Sequence, residues 1–386
     1  MRILIFNWQD IKNPLAGGAE VHLHEVFSRI ARRGHEVVLY CSMFPNAKHE
    51  EEINGIHVIR EGNRYLFNYL VPVRYWSRFR SEGYNIIIDD LNKIPFYTPW
   101  YVREPLLGIT HHLFDKSIFL EVPFPLAAYV YLHERVAVRV YRNLPFIVGS
   151  PSTFHELINH GFPKENVHIV NYCVDHKVHY PGDGKKSETP LIGYVGRLKR
   201  YKSIEHLLEA FAIVLKRIPA ARLQIIGEGD HRRNLEEYAR KLGLVARQRN
   251  AGDTPALAST VEFTGFVSDE KKVAMLQKMH VVVNTSSKEG WGLTVIEANA
   301  CGTPVIASNV PGLRDSVLDG KTGLLYTYGN INELAEKILL LLNDDDLRQR
   351  LTQEAIAYAR TFDWDVAADQ TLEIIENTIA RHPCRS

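Results

Sequence analysis

The segment Glu289-Gly290-Trp291-Gly292-Leu293-Thr294-Val295-Ile296-Glu297 sets two carboxylates eight positions apart, with two glycines between them. A carboxylate accepts two hydrogen bonds, so each acid suits a pair of sugar hydroxyls or the diol of a ribose. Gly290 and Gly292 leave backbone N–H groups open to phosphates lying between two such sugars. One loop leading into a helix would then hold a hexose, a diphosphate and a ribose together. Glu297 would otherwise be an ordinary exposed helix residue, but Val295, Ile296 and Ala298 beside it are apolar or small and point to a covered helix.

Gly196-Arg197-Leu198-Lys199-Arg200-Tyr201-Lys202 places four cations between an apolar strand pattern and a helical one. Arginine holds a phosphate bidentately and lysine adds a point charge. A nucleoside diphosphate gains negative charge as its bond to a sugar breaks, and cations fixed at that point stabilise it without a metal. A solvated basic loop is the plain alternative; the position at a strand end, with a helix behind it, favours the phosphate reading. Gly17-Gly18-Ala19-Glu20 likewise follows a strand and opens a helix, where small residues let a ligand approach free N–H groups. A helix-entry turn that needs glycine for its geometry would look the same. His111-His112 closes another strand, where an imidazole can bond a sugar or donate to a phosphate. Asp115 and Lys116 are weaker members of that group.

These residues require strands that end where they stand. Strands are expected at 2–7, 36–40, 56–60, 86–89, 105–110, 146–149 and 167–170, with helices at 18–33, 127–142 and 152–160. The alternation restarts with strands at 191–195, 222–226, 261–265, 281–284 and 304–307. Helices are expected at 203–217, with Ser203 as N-cap, and at 231–242, 269–279 and 293–301, with most of 331–381 helical. Alternating strands and helices imply parallel βαβ units, whose ligands sit beyond the carboxyl ends of the strands. The polar segment 181–190 is the expected linker and 245–259 an expected surface insertion.

The bulk numbers exclude several classes. A chain of 386 residues exceeds one ordinary α/β core, since domains run to ~100–200 residues. With 46 Lys and Arg against 45 Asp and Glu, no bulk charge exists to grip nucleic acid, and no nucleic-acid partner is expected. Neither Cys-x-x-Cys nor His-x-x-x-His occurs, so no metal site is expected. Cys41, Cys173, Cys301 and Cys384 are scattered as in reduced cytosolic proteins. The N-terminus enters an apolar strand directly, so no signal peptide is expected, and no apolar run nears the ~20 residues of a membrane-spanning helix. The dinucleotide pattern G-x-G-x-x-G is absent, which removes the dehydrogenase reading.

Together these motifs resemble the large retaining glycosyltransferase family with the GT-B fold, often called group 1 or family four. The likeness runs from the first strand with Gly17-Gly18-Ala19-Glu20, through 303–309, to Asp319-Gly320-Lys321-Thr322-Gly323-Leu324-Leu325. The acids Glu289 and Glu297, combined with the upstream Gly-Arg-Leu…Lys element, make it specific. The resemblance implies an α/β chain of two Rossmann-like doubly wound domains facing across a cleft. Residues 1–180 would form the acceptor side, joined by a returning helix at 363–386, and 181–362 would bind the donor. It implies that Arg197 and Lys202 hold the donor diphosphate, that Glu289 contacts sugar hydroxyls and that Glu297 holds the ribose. Gly196, Gly290, Trp291, Gly292, Leu293 and Thr294 would complete the donor site, and the Gly17-Gly18 loop would lie near donor phosphate and acceptor. His111 matches the family histidine, with His112 as the choice if that alignment shifts by one. His111, Arg197, Lys202 and Glu289 form the implied catalytic set. Three departures stand out: Tyr172-Cys173-Val174-Asp175 for an Asn-Gly-Val-Asp turn, Ser203 for a glycine, and Pro311-Gly312-Leu313 for a double glycine.

The expected activity is metal-independent, retaining transfer of a hexosyl group from a UDP- or GDP-sugar to a saccharide or lipid-linked acceptor, in assembly of cell-surface polysaccharide or glycolipid. The nucleotide sugar is a co-substrate and no cofactor is expected. A nucleotide-sugar epimerase, a phosphorylase or a non-catalytic nucleotide-sugar-binding protein of similar architecture are the alternatives. Base contacts are expected near Gly265-Phe266-Val267. Across 60–80, Arg60, Arg64, Arg74, Arg78 and Arg80 interleave with Tyr65, Phe67, Tyr69, Tyr75, Trp76 and Phe79. That mixture suits peripheral contact with an anionic membrane, a lipid-diphosphate acceptor, single-stranded nucleic acid, or packing on the segment's own domain.

Overall fold

The computed structural model of the chain describes residues 1–91, 94–115, 118–245 and 260–382. Lys116, Cys384 and the insertion at 246–259 lie outside the described residues. The chain divides into two units, Met1–Cys173 with Asp363–Ser386, and Val174–Phe362.

The first unit carries β1 (Arg2–Phe6), α1 (Gly18–Arg32), β2 (Glu36–Ser42), β3 (Glu50–Ile53), β4 (Ile56–Glu61), α2 (Phe67–Ser77), β5 (Ile86–Leu91), β6 (Leu106–Thr110), α3 (Ile118–Glu121), α4 (Phe124–Tyr141), β7 (Phe146–Val148), α5 (Pro151–Asn159) and β8 (Val167–Ile169). Its sheet runs β3-β4-β2-β1-β5-β6-β7-β8 and is parallel except for the β3–β4 pair. Strand β1 lies between β2 and β5 with both faces covered, which is why Ile3, Leu4, Ile5 and Phe6 form an unbroken apolar run instead of an alternating one. Strand β3, Glu-Glu-Glu-Ile, has no strand signal in the sequence. It is held by the Asn54-Gly55 turn, where both residues have positive φ (50° and 86°), and its charges suit a sheet edge.

The second unit carries β9 (Leu191–Val195), α6 (Ile204–Arg217), β10 (Arg222–Ile226), α7 (Arg232–Lys241), β11 (Val261–Gly265), α8 (Asp269–Lys278), β12 (Val281–Asn284), α9 (Leu293–Ala300), β13 (Val305–Ser308), α10 (Leu313–Ser316), β14 (Gly323–Tyr326), α11 (Ile331–Asn343) and α12 (Asp345–Ala359). Its six-stranded parallel sheet has the order β11-β10-β9-β12-β13-β14. The last helix, α13 (Trp364–Arg381), belongs to the first unit, where Asp365 and Asp369 pair with Arg29 (3.1 Å) and Arg33 (2.6 Å) of the α1 region.

Two local expectations change. The polar segment 181–190 is part of the second unit and not a free linker. Lys186 is half-buried in it, donating to the carbonyl of Gly302 (2.8 Å), to Thr303 Oγ1 (2.9 Å) and to the carbonyl of Gln277 (3.2 Å). Burial pushes its pKa down to about 8. Ser203 does not cap α6 with its side chain. Its backbone is left-handed (φ 49°) and its hydroxyl lies 2.9 Å from that of Tyr328, so the conformation explains why glycine is common at this point in the family. Among the described residues, no helix is long and apolar enough to cross a membrane.

Candidate functional site

In the second unit, the chain leaves β9 at Gly196 and is clamped onto the loop after β10. The N–H of Gly196 donates to the carbonyl of Ile226 (3.0 Å), and that of Leu198 to the carbonyl of Glu228 (2.9 Å). The fit tolerates no side chain: a Cβ on Gly227 would fall 1.9 Å from the Gly196 oxygen, and one on Gly229 would fall 2.1 Å from that of Leu198. The cationic loop is then stitched to the loop after β12. Ser287 donates to the Tyr201 carbonyl through N–H (2.9 Å) and hydroxyl (3.0 Å), and Thr285 Oγ1 donates to the Lys202 carbonyl (2.8 Å).

Within that seam the Lys202 ammonium pairs with Oε1 of Glu289. Their side chains are 13% and 14% exposed, and the Ser286 hydroxyl lies 2.7 Å from the same oxygen. Burial works against the lysine charge, but the adjacent Glu289 carboxylate outweighs it, and the pKa of Lys202 is raised. The lysine is therefore charged at neutral pH. Of the other cations in this loop, Lys199 pairs with Asp230 (2.6 Å), while Arg197 and Arg200 are exposed.

Glu289 leads through Gly290 to Gly292, whose left-handed backbone (φ 88°) opens α9 with no side-chain cap. The first-turn N–H groups at Leu293 and Thr294 are thereby left for an anion. Gly312, also left-handed (φ 82°), packs on this turn, where a Cβ would meet the Glu289 carbonyl oxygen at 2.2 Å. The Pro311-Gly312-Leu313 departure thus keeps the glycine that the turn requires. Glu297 sits in the second turn of α9, buried. Its Oε1 receives Lys272 Nζ at 3.1 Å and lies 3.7 Å from His179 Nε2.

Lys272 also pairs with Asp269 (3.1 Å), and among the described residues neither ring nitrogen of the buried His179 has a hydrogen-bond partner. Burial lowers the pKa of His179, and Glu297 pulls it the other way. Sequence reasoning missed Lys272 and His179. The one local signal was the 172–175 turn, because the Asp175 carbonyl accepts the His179 N–H (2.7 Å) and fixes that side chain's approach. Trp291 does not join this group: it is buried against Phe362, with ring centroids 5.2 Å apart. It is a packing residue at the base of the turn.

The first unit assembles its own polar cluster beneath the Gly17-Gly18 loop. His111 follows β6 with Nε2 2.9 Å from Asp90 Oδ1, an ion-pair distance off the line of a hydrogen bond, and its Nδ1 meets the Tyr172 hydroxyl. Burial opposes protonation of His111, but Asp90 more than compensates and the pKa is raised. His22 of α1 stacks on Tyr172 (4.5 Å) and lies 6.0 Å from His111. It is fully enclosed, and burial pushes it down to about 3, so it is neutral.

Glu20 accepts the Gly17 N–H (2.7 Å) and the Gln9 amide (3.0 Å). Gly17 has φ −143°, open to any residue, and a Cβ on Gly18 would make only ordinary contact with Tyr172 at 3.8 Å. Backbone strain does not demand glycine at Gly17, and crowding does not demand it at Gly18. His112 lies apart from this cluster. Its ring is 4.6 Å from that of Phe114, and it lines a small apolar cavity with Leu113, Tyr141 and Phe146. Tyr172, Asp90 and His22 were not foreseen as partners of His111. Among the described residues, no group of three or more His, Cys, Asp or Glu side chains is placed to hold a metal ion.

Two family models match successive parts of the chain: Glycosyltransferase Family 4 over residues 16–178 and Glycosyl transferases group 1 over 175–358. A D-inositol 3-phosphate glycosyltransferase of Kribbella flavida is 31% identical over 238 residues, covering 56% of this chain and 53% of that one. The chain thus spans about half the length of that relative. The enzyme of the same name from Rhodococcus jostii is 26% identical over 396 residues, covering 93% and 84%. Among solved structures, sucrose-phosphate synthase from Thermosynechococcus elongatus superposes with a TM-score of 0.80 at 24% identity, covering 98% of this chain and 99% of that one. HepE of Anabaena, solved with UDP-glucose, gives 0.75 at 20% identity, covering 98% and 100%. The chain belongs to the group 1, family four glycosyltransferases and has their GT-B fold, two Rossmann-like α/β domains in series.

Proposed function

We propose that the chain is a retaining, metal-independent hexosyltransferase using a nucleoside-diphosphate sugar as donor. The carrying observation is the buried Lys202–Glu289 pair on the turn into the uncapped helix α9, with Glu297 one turn further along the same helix. Lys202, Arg197 and the first-turn N–H groups of α9 hold the diphosphate. Glu289 bonds hydroxyls of the hexose, and Glu297, set in place by Lys272, accepts the ribose diol. Phe266, 86% exposed directly after β11, offers a ring to the base. As the bond from sugar C1 to the phosphate oxygen breaks, its electron pair passes to the diphosphate, and the fixed cations stabilise that charge. The acceptor hydroxyl adds to C1 from the face the diphosphate leaves and gives its proton to the departing phosphate oxygen, so configuration is kept. His111, gripped by Asp90 and Tyr172, is the acceptor-side group of this reading.

The solved neighbour's title names UDP-glucose, and the relatives' names give an inositol phosphate as acceptor; both support a nucleotide-sugar donor and a hydroxyl acceptor. A saccharide or lipid-linked acceptor is the proposed class for this chain. The test is proton NMR of the product formed from UDP-glucose or GDP-mannose with inositol phosphate or oligosaccharide acceptors, with and without EDTA. The expected product keeps the donor's anomeric configuration and forms equally with EDTA present. Inversion would overturn the retaining reading, loss with EDTA the metal-independent one, and no turnover of any pair would leave a nucleotide-sugar-binding protein.

A further inference from the structure

The first unit exposes more apolar surface than its own core accounts for. In α2, Phe67, Val71 and Tyr75 fill the core, while Leu66, Tyr69, Val73 and Trp76 recur every three to four residues on the opposite face, exposed. Packing on the segment's own domain therefore explains only half of it. The exposed face continues onto other elements. The Tyr69 hydroxyl lies 3.2 Å from that of Tyr129 in α4. Tyr129 abuts His133 (4.3 Å), His133 bonds the Tyr97 hydroxyl (2.7 Å), and Tyr97 stacks on Trp100 (4.6 Å). Phe124 and Leu132 of α4 are exposed as well.

The charge on the α2 part of this face is one-sided. No Asp or Glu occurs from 62 to 81. Arg60, Arg74 and Arg78 are committed to Asp10, Glu61 and Glu82. Arg64, Arg80, Arg103 and Arg135 have no acidic partner among the described residues and lie instead over the rings of Tyr65, Trp76 and Tyr131.

We propose that this face docks on an anionic lipid bilayer, its apolar side chains entering the boundary between headgroups and acyl chains and its four unpaired arginines meeting lipid phosphates. Tryptophan, tyrosine and leucine interleaved with arginine fit that boundary, where one end of each side chain is wetted and the other is not. Arginine binds phosphate through two parallel hydrogen bonds and keeps its charge at any physiological pH. The contact proposed is peripheral, made by side chains on the surface of the first unit. The inference is independent of the donor-site reading, and its failure would leave that reading standing.

The test is sedimentation of the whole chain with vesicles of phosphatidylcholine alone, or with three parts in ten of phosphatidylglycerol, at low and high salt. A second protein carries Leu66→Ser, Val73→Ser, Trp100→Ser and Phe124→Ser, at positions 59%, 58%, 67% and 74% exposed and outside the core. The wild type should bind the anionic vesicles at least about tenfold better than the neutral ones, losing most of that preference at high salt. The fourfold variant should lose about tenfold or more on the anionic vesicles while keeping its thermal midpoint. Equal binding by both proteins, or none by the wild type at low salt, would overturn the proposal. So would a dimer of the wild type that the variant dissolves, since the face would then belong to a second copy of the chain.

Discussion

Lys202→Met should lower kcat/KM for sugar transfer by about 10²–10³, the usual loss when one fixed group that stabilises developing negative charge is removed. The side chain lies in the seam between the loops after β9 and β12, held in place by backbone contacts from Thr285 and Ser287. Methionine keeps the length and apolar stem but supplies no charge, and it leaves the largely buried Glu289 carboxylate without its cation. Most of the loss should appear in kcat, because the charge on the diphosphate grows only as the sugar bond breaks. Lys202→Arg should recover part of it. A loss below about threefold would mean that Lys202 braces Glu289 and does not meet the diphosphate.

Arg60→Leu should destabilise the first unit by about 3–5 kcal/mol, the range for removing one partner of a buried ion pair. The Arg60 side chain is fully buried. It donates to both oxygens of Asp10 (2.6 and 2.9 Å), to Glu51 (2.6 Å) and to the Lys48 carbonyl (3.0 Å). Burial opposes both charges, yet their pairing prevails: Arg60 is raised and Asp10 lowered. Removing the arginine strands Asp10, which also caps the loop toward Gly17 by accepting the Lys12 N–H (2.8 Å). Urea unfolding at pH 7 measures the loss. Arg60→Leu combined with Asp10→Leu should cost less than the single change, and a single-mutant loss under about 1 kcal/mol would show that water reaches the pair.

Arg60 also shows where the sequence misleads. Counted along the chain, it belongs to a basic, aromatic surface stretch; in the fold it is the most deeply buried charge of that stretch, because its acidic partners come from positions 10 and 51. The pattern carries the central strands well, since β1, β9 and the starts of β5 and β12 (86–88 and 281–283) are buried apolar runs. It does not carry β3, an edge strand built of glutamates. It carries Glu289 and Glu297, whose spacing is local to one loop and one helix, and Lys202, which stands in its own short cationic loop after β9. It cannot carry His111 with Asp90 and Tyr172, or Glu297 with Lys272 and His179, because those groups meet only when separate strands and helices pack. The division of the chain after Cys173, ahead of the polar segment at 181–190, has the same origin: the anchor of that segment is a single half-buried lysine, Lys186, inside an otherwise hydrophilic run.

The most direct test of the donor site is a thermal-shift titration of wild type and Glu297→Ala with UDP, GDP and ADP. A ligand that binds only the folded protein adds ~2.7 kcal/mol of stability at a hundredfold excess over its dissociation constant. One nucleoside diphosphate should raise the wild-type midpoint clearly, and the shift, taken from each protein's own unliganded midpoint, should fall sharply in Glu297→Ala. An equal shift in both proteins would contradict the ribose contact assigned to Glu297, and no shift with any diphosphate would contradict the donor site itself.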